Sequence, residues 1–137
     1  MDLVHNTSSL MQEIGPLVDT ITAIEHDDSN GWDLEFDDGR DVLVEVSEEA
    51  RKLAFTVVVG QPSKHSKAAA CELLLNYNAM WRETDGIRVA LDGADGSFFL
   101  IFDLFLIDLD VSVLANVLQN LREKAALLEE QLEALDT

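Results

Sequence analysis

Basic residues are what this sequence has least of: nine Lys and Arg stand against 27 Asp and Glu, a formal charge of −18 over 137 residues. The imbalance is steepest at the start, where residues 1–50 hold 14 acids and a single base, Arg40. A surface of that sign repels phosphate backbones, which excludes nucleic-acid binding through a basic patch and favours cationic partners. Cysteine is nearly absent. Cys71 alone cannot build an internal disulfide framework, in keeping with a reducing compartment. No apolar run is long enough to cross a membrane. The longest, residues 98–107, stops at ten and contains Asp103, whereas a spanning helix needs about 20 residues. The opening "MDLVHNTSSLMQEIG" has an aspartate where a signal peptide carries its basic region, and no long apolar stretch follows. The expectation is a soluble, cytoplasmic protein with no membrane insertion. Linkers rich in Pro, Gly or Ser, low-complexity tracts and internal repeats are also missing, so residues 1–137 read as one domain. Disorder is a common fate of an acidic, aromatic-poor chain, but 47% apolar content with clear periodicity argues against it.

What is present is patterned. Leu3, Leu10, Met11 and Ile14 recur at helical spacing, and Gly15-Pro16 is a helix stop; a longer, kinked helix through Leu17, Val18 and Ile21 is the alternative. In "WDLEFDDGRDVLVEVS", Trp32, Leu34 and Phe36 alternate with acids, and so do Val42, Val44 and Val46 after the turn. Asp38-Gly39 between them reads as a two-residue hairpin turn with positive φ at both positions. "KLAFTVVVG" (residues 52–60) supplies a third strand. After Pro62, "SKHSKAAACELLLNYNAMW" is rich in helix formers, with Ser63 and Ser66 as candidate caps. "GIRVALD", the turn "GADG" and "SFFLIFDLFLIDLD" make a second hairpin. Val111, Leu114, Leu118, Leu121, Ala125, Leu128, Leu132 and Leu135 then step by three and four, an amphipathic stripe that fits packing on the sheet better than a coiled coil. The reading is an α+β fold ordered α-β-β-β-α-β-β-α. It has a twisted, mostly antiparallel five-stranded sheet with the last helix along one face.

The strand at residues 98–107 poses a packing problem. Phe98, Leu100, Phe102, Leu104 and Leu106 share one face; Phe99, Ile101, Phe105 and Ile107 share the other. Both faces need cover, and so does the helix at residues 68–81, apolar nearly all round. At about 25 cal/mol per Å2, leaving several Phe and Leu side chains wet forfeits many kcal/mol. A second copy of the chain is the simplest cover, so a homodimer is expected.

Reactive chemistry is not evident. "DGADGSFFLIFD" opens like a calcium loop at Asp92, but Ala94 and Gly96 occupy ligand positions and Asp103 stands where Glu belongs. His5, His26 and His65 lie on separate segments and Cys71 has no second thiol nearby, so no metal site is expected. Cys71 reads as a small buried hydrophobe. His26 beside Asp27 and Asp28 is the one local acid–base cluster, in what reads as a polar loop. No Gly-rich phosphate loop joins a strand to a helix. Neither an enzyme nor a cofactor is expected.

The segment "LLLNYNAMWRETDGIRVALDGADGSFFLIFDLFLIDLD" resembles the signature region of class I type III secretion chaperones, the Tir-chaperone or CesT-like family. Leu74 and Leu75, Asn78, Trp81, Gly86, Leu91 and Asp92 fall at that family's spacings. The likeness is close over residues 73–135 and rests on element order before residue 60. The tail "AALLEEQLEAL" departs in lacking an aromatic. What the resemblance implies is a bacterial cytoplasmic homodimer that binds the N-terminal segment of a secreted effector in extended form, without nucleotide or cofactor. Carried onto this chain, the effector groove would use Leu10, Ile14, Leu17, Trp32, Leu34 and Phe36, although core packing explains Trp32, Leu34 and Phe36 equally well. The dimer seam would use Leu74, Asn78, Trp81, Val89, Phe99 and Ile101. The rival reading is an acidic regulatory module, an anti-activator or nucleic-acid mimic, in which the N-terminal acids are the sensitive positions.

Overall fold

Alternation of apolar and charged residues becomes antiparallel pairing through the middle of the chain. The structure, a computed structural model, describes residues 3–28, 30–93, 96–105 and 109–136. Its elements are α1 (Leu3–Leu17), β1 (Ile21–Asp28), β2 (Gly31–Phe36), β3 (Asp41–Ser47), β4 (Lys52–Gly60), a 3-10 turn (Lys64–Ser66), α2 (Lys67–Ala79), β5 (Arg88–Leu91), β6 (Phe98–Phe105) and α3 (Val111–Ala134). The strands form one sheet in the order β1-β2-β3-β4-β6-β5, with every neighbouring pair antiparallel.

The described sheet has six strands, so the five-stranded expectation is corrected. The addition is β1, "ITAIEHDD", which places His26 and Asp27 on a strand and not in a polar loop. Register shifts between Ile21 and Ala23 and between His26 and Asp28 break its alternation, so its sequence lacks a clean period of two. α1 also outlasts its expected stop. Pro16 lies within the last turn, and the Val18 N–H still reaches the Ile14 carbonyl at 3.0 Å. A proline there removes one donor, and the helix ends a residue later. The first hairpin differs as well. Phe36 N–H bonds the Arg40 carbonyl at 2.9 Å across a three-residue connection, and Gly39 alone takes a positive φ, 84°. That is the turn-plus-left-handed-residue connection, not a two-residue turn.

Pairing assigns the faces. On β6, Leu100, Phe102 and Leu104 oppose Val57, Phe55 and Leu53 on the inner face, while Phe99, Ile101, Asp103 and Phe105 oppose Val58, Thr56, Ala54 and Lys52 on the outer face. Leu106 and Ile107, expected to extend these faces, lie outside the described residues, as does Ala94 of the second turn. Trp32, Leu34 and Phe36 join Val42, Val44 and Val46 on the inner face and are buried there. α3 lies along β4, with Leu114, Leu118, Leu121, Ala125 and Leu128 buried, and α1 packs against α3, β1 and β3. Each such Leu or Phe contributes about 1.5–3 kcal/mol by leaving water.

Helix ends follow local chemistry in one case and not in another. Asp110 caps α3: its carboxylate accepts from the Val113 N–H at 2.9 Å. Ser66 occupies the N-cap position of α2 but makes no capping bond, and Ser63 does not cap either. The Ser63 hydroxyl instead donates to Asp136 at 2.7 Å, tying the end of α3 to the start of α2.

Candidate functional site

Two apolar surfaces stand out, one at each side of the sheet. The first lies where α2 runs along β5, the terminal strand. α2 buries Ala70, Leu74 and Tyr77 but leaves Leu75 71% exposed. Trp81 and Met80, just past the helix, and Leu91 on β5 are also exposed. Together with Cys71, Asn78, Val89, Ala90 and Phe98, the three leucines Leu74, Leu75 and Leu91 line an open, mainly apolar cleft of about 230 Å3. The Arg82 guanidinium lies 5.0 Å from the centre of the Trp81 ring. The Tyr77 hydroxyl is buried without a partner among the described residues, and burial pushes its ionisation up. Polar accounting around α2 is therefore not closed within the described chain.

Asn78 gives this surface its shape. Its amide donates to the Val89 carbonyl at 3.0 Å and its Oδ1 accepts from the Val89 N–H at 2.7 Å. One side chain thus stands in for a neighbouring strand on the outer edge of β5. Thr84 does the same one step earlier, accepting from the Ile87 N–H at 3.1 Å through its carbonyl and donating to the Ile87 carbonyl at 3.2 Å through its hydroxyl. An edge so occupied is closed to strand addition at these residues. Among the described residues, β1, at the opposite end of the sheet, has no strand on its outer side.

The second surface is a groove of about 530 Å3 between the end of α1 and α3, walled by Leu17, Val18, Phe36, Ala115, Leu118 and Ala126. Arg122 crosses its floor. The guanidinium lies 4.2 Å from the centre of the Phe36 ring and donates to Thr20 and Asp38, each at 3.1 Å. Arg40 pairs with Glu129 at 3.0 Å beside it. For Asp38, burial pushes the carboxyl up, but the Arg40 N–H and the Arg122 guanidinium together hold it below the usual carboxylate range. Asp19 and Glu123 rim the groove.

The residues expected in the groove divide. Leu17 is exposed on the α1–α3 groove, Phe36 reaches its wall while almost wholly buried, and Leu10 is half-buried on α1. Ile14, Trp32 and Leu34 are core: Ile14 is a buried residue of α1, and the sheet face that carries Trp32 and Leu34 is the one the helices cover. The residues expected at the dimer seam divide too. Leu74, Asn78, Trp81 and Val89 gather around α2 and β5, but Phe99 and Ile101 lie on the outer face of β6, opposite the face that includes Leu100. Arg122 and Thr84 were not singled out in the sequence, and Asp38 was read only as a turn residue. The available signal for Arg122 was a base four residues after Leu118 on the flank of the α3 stripe. Among the described residues, Asp33, Glu35 and Asp41 bring carboxylate oxygens within 4.8 Å of one another, the first two partly buried and Asp41 exposed.

The model of the Tir chaperone protein (CesT) family matches residues 9–129 of the chain. Among solved structures, a chain of the ExsC–ExsE complex superposes with a TM-score of 0.81 at 19% identity, over 96% of this chain and 97% of that one. A chain of the HopA1–SchA chaperone–effector complex gives a TM-score of 0.72 at 15% identity, over 95% and 98%. A chain of the heterodimeric ExoU–SpcU complex from the type III secretion system of Pseudomonas aeruginosa gives 0.64 at 22% identity, over 80% and 88%. At these identities the likeness establishes the fold. No curated protein sequence matches the chain.

Proposed function

From the membership of this chain in the Tir chaperone protein (CesT) family, we propose that it is a cytoplasmic type III secretion chaperone. In this reading it acts as a homodimer and holds the N-terminal segment of a secreted effector in extended, export-competent form. The observation that carries the reading is the pair of separated surfaces with exposed apolar side chains, at α2–β5 and between α1 and α3. The named relatives are solved with partner chains, one of them described as chaperone and effector.

The two surfaces have different roles. Leu75, Trp81 and Leu91 are wet in the single chain, and a second copy covers them at the α2–β5 seam, with Leu74, Asn78 and Val89 beneath. The α1–α3 groove takes an apolar anchor of the effector against Leu17 and Phe36, while Leu10 extends the surface along α1 and Ile14, Trp32 and Leu34 support it from the core. A segment that lacks a fold of its own can wrap both copies and add a strand where an edge is open. Asn78 and Thr84 occupy the β5 edge, so the edge offered is β1.

Light scattering on the purified chain tests the dimer, and co-expression with secreted proteins from neighbouring genes tests the effector. The expected mass is twice 15.2 kDa. Leu75→Asp with Trp81→Asp halves it without unfolding the chain, since both side chains are exposed. Leu17→Asp leaves the dimer intact and abolishes co-purification. A monomer that retains no such protein would overturn the reading.

A further inference from the structure

The outer face of the sheet is continuous from β1 to β5, and strand pairing fixes its chemistry. One register row crosses all the strands: Glu25, Asp33, Leu43, Thr56, Ile101 and Arg88. Directly opposed residues in antiparallel strands share a face, so this row passes from acid through an apolar centre to a base. The next row runs from Glu35 and Asp41 to Val58, Phe99 and Ala90, from acid to apolar without a base. Burial shows which face the helices cover. Leu53, Phe55 and Val57 are fully buried, whereas Val58 and Phe105 on the outer face are 58% and 59% exposed and Phe99 and Ile101 are only partly covered.

The charges on this face are unevenly satisfied. β1, β2 and β3 contain no Lys or Arg. The carboxylates of Asp33, Glu35 and Asp41 crowd together there. Burial pushes the Asp33 carboxyl up, and Asp41, Glu35, Glu25 and Asp27 add to the shift. At the apolar end, Lys52 and Arg88 both bind Asp103, at 3.2 and 2.9 Å.

We propose that the outer sheet face docks a partner segment that is basic at one end and apolar at the other, seated over Asp33, Glu35 and Asp41 and over Val58, Phe99 and Ile101. The acid and apolar centres on β2 and β6 are three strand spacings apart, about 14 Å, which a helix of about ten residues spans. Charge argues for a basic occupant: β1, β2 and β3 offer no Lys or Arg to these carboxylates, and the bases of the face, Lys52 and Arg88, are held by Asp103. Asp33, Glu35, Asp41, Val58, Phe99 and Ile101 line neither the α2–β5 cleft nor the α1–α3 groove, and only Ala90 at the end of the second row is shared with the cleft, so the proposal rests on those six residues and stands or fails independently of the effector reading.

The test uses the full chain and a labelled synthetic peptide of about 14 residues, leucines in one half and lysines in the other, read by fluorescence anisotropy at low salt. A peptide with glutamates for the lysines is the control and should not bind. Neutralising the acid end (Asp33→Asn, Glu35→Gln, Asp41→Asn) should weaken lysine-peptide binding about tenfold, as expected for three solvent-accessible charge pairs. Neutralising Glu72, Glu83 and Glu130, exposed elsewhere, should change it less than about twofold. Val58→Ser should weaken binding at unchanged thermal stability, because the side chain is exposed. Equal losses from the two sets of acids would reduce the binding to net charge and overturn the proposal. So would a Val58→Asp variant that splits a dimer in light scattering, since the face would then be a seam between copies.

Discussion

Asp33 shows how far a single residue's behaviour depends on neighbours that are distant in sequence. Its carboxyl is raised first by burial and then by Asp41, Glu35, Glu25 and Asp27 across three strands. A carboxyl raised above its unfolded value of 3.8 binds its proton more tightly in the folded chain than in the unfolded one. Its ionisation therefore costs stability above the folded value, and that cost is absent below the unfolded value. Asp33→Asn should accordingly raise the melting temperature near neutral pH, and the gain should shrink to nothing as pH falls below the unfolded value. A melting series of both proteins from acid to neutral pH checks it, and a gain that persists in acid would refute the electrostatic cause. At this scale the sequence was partly legible. Alternation placed Trp32, Leu34 and Phe36 on one face, but it could not say whether helices or a partner cover that face. Burial on the helix side assigns all three to the core, with Phe36 reaching the groove wall, while Leu17 is exposed and Leu10 half-buried.

Among the elements, β5 is the one whose role pairing alone does not explain. A four-residue terminal strand ordinarily presents a free edge. Asn78 fills it from α2 by bonding both backbone groups of Val89, so helix and strand form one unit. Asn78→Ala should cost about 1–2 kcal/mol, from two lost hydrogen bonds at a partly solvated edge. The readout is a lower urea midpoint at unchanged slope. Asn78→Asp keeps an acceptor for the Val89 N–H but turns a carboxylate toward the Val89 carbonyl, and should be no milder. No change in either variant would show that water replaces the amide freely. Asn78 was picked out by the spacing of a family resemblance, but its work on the edge needed the helix and strand side by side. β1 was missed for the opposite reason. Its two register shifts disrupt the alternation by which strands are read, and pairing with β2 forms it nonetheless.

On the scale of the whole molecule, the charge of −18 sets the terms. Arg40, Arg122, Lys52 and Arg88 each hold an acid, yet most carboxylates have no base to meet. Net charge of this size opposes compaction and screening relieves it. The Debye length falls from about 10 Å at 0.1 M salt to about 3 Å at 1 M. Added sodium chloride should therefore raise the melting temperature over that range. A fall would mean that screening of the few ion pairs outweighs relief of repulsion. The same charge bears on assembly: copies can associate only where carboxylates are sparse, and the α2–β5 cleft, lined by apolar side chains and Asn78, is such a place.

The sequence by itself determined the periodicities, and with them three helices, the order of the later strands, the two-faced character of β6 and the acid excess. These are local properties, because a side chain's facing within a helix or strand depends only on its spacing. Tertiary structure decided what local spacing cannot carry: the sixth strand, the cover of the inner face, the closing of the β5 edge by Asn78 and the floor of the α1–α3 groove at Arg122. It also placed Phe99 and Ile101 on the outer face of the sheet. Those two residues alternate with Leu100, and only the packing of helices onto one side of the sheet makes their side the exposed one.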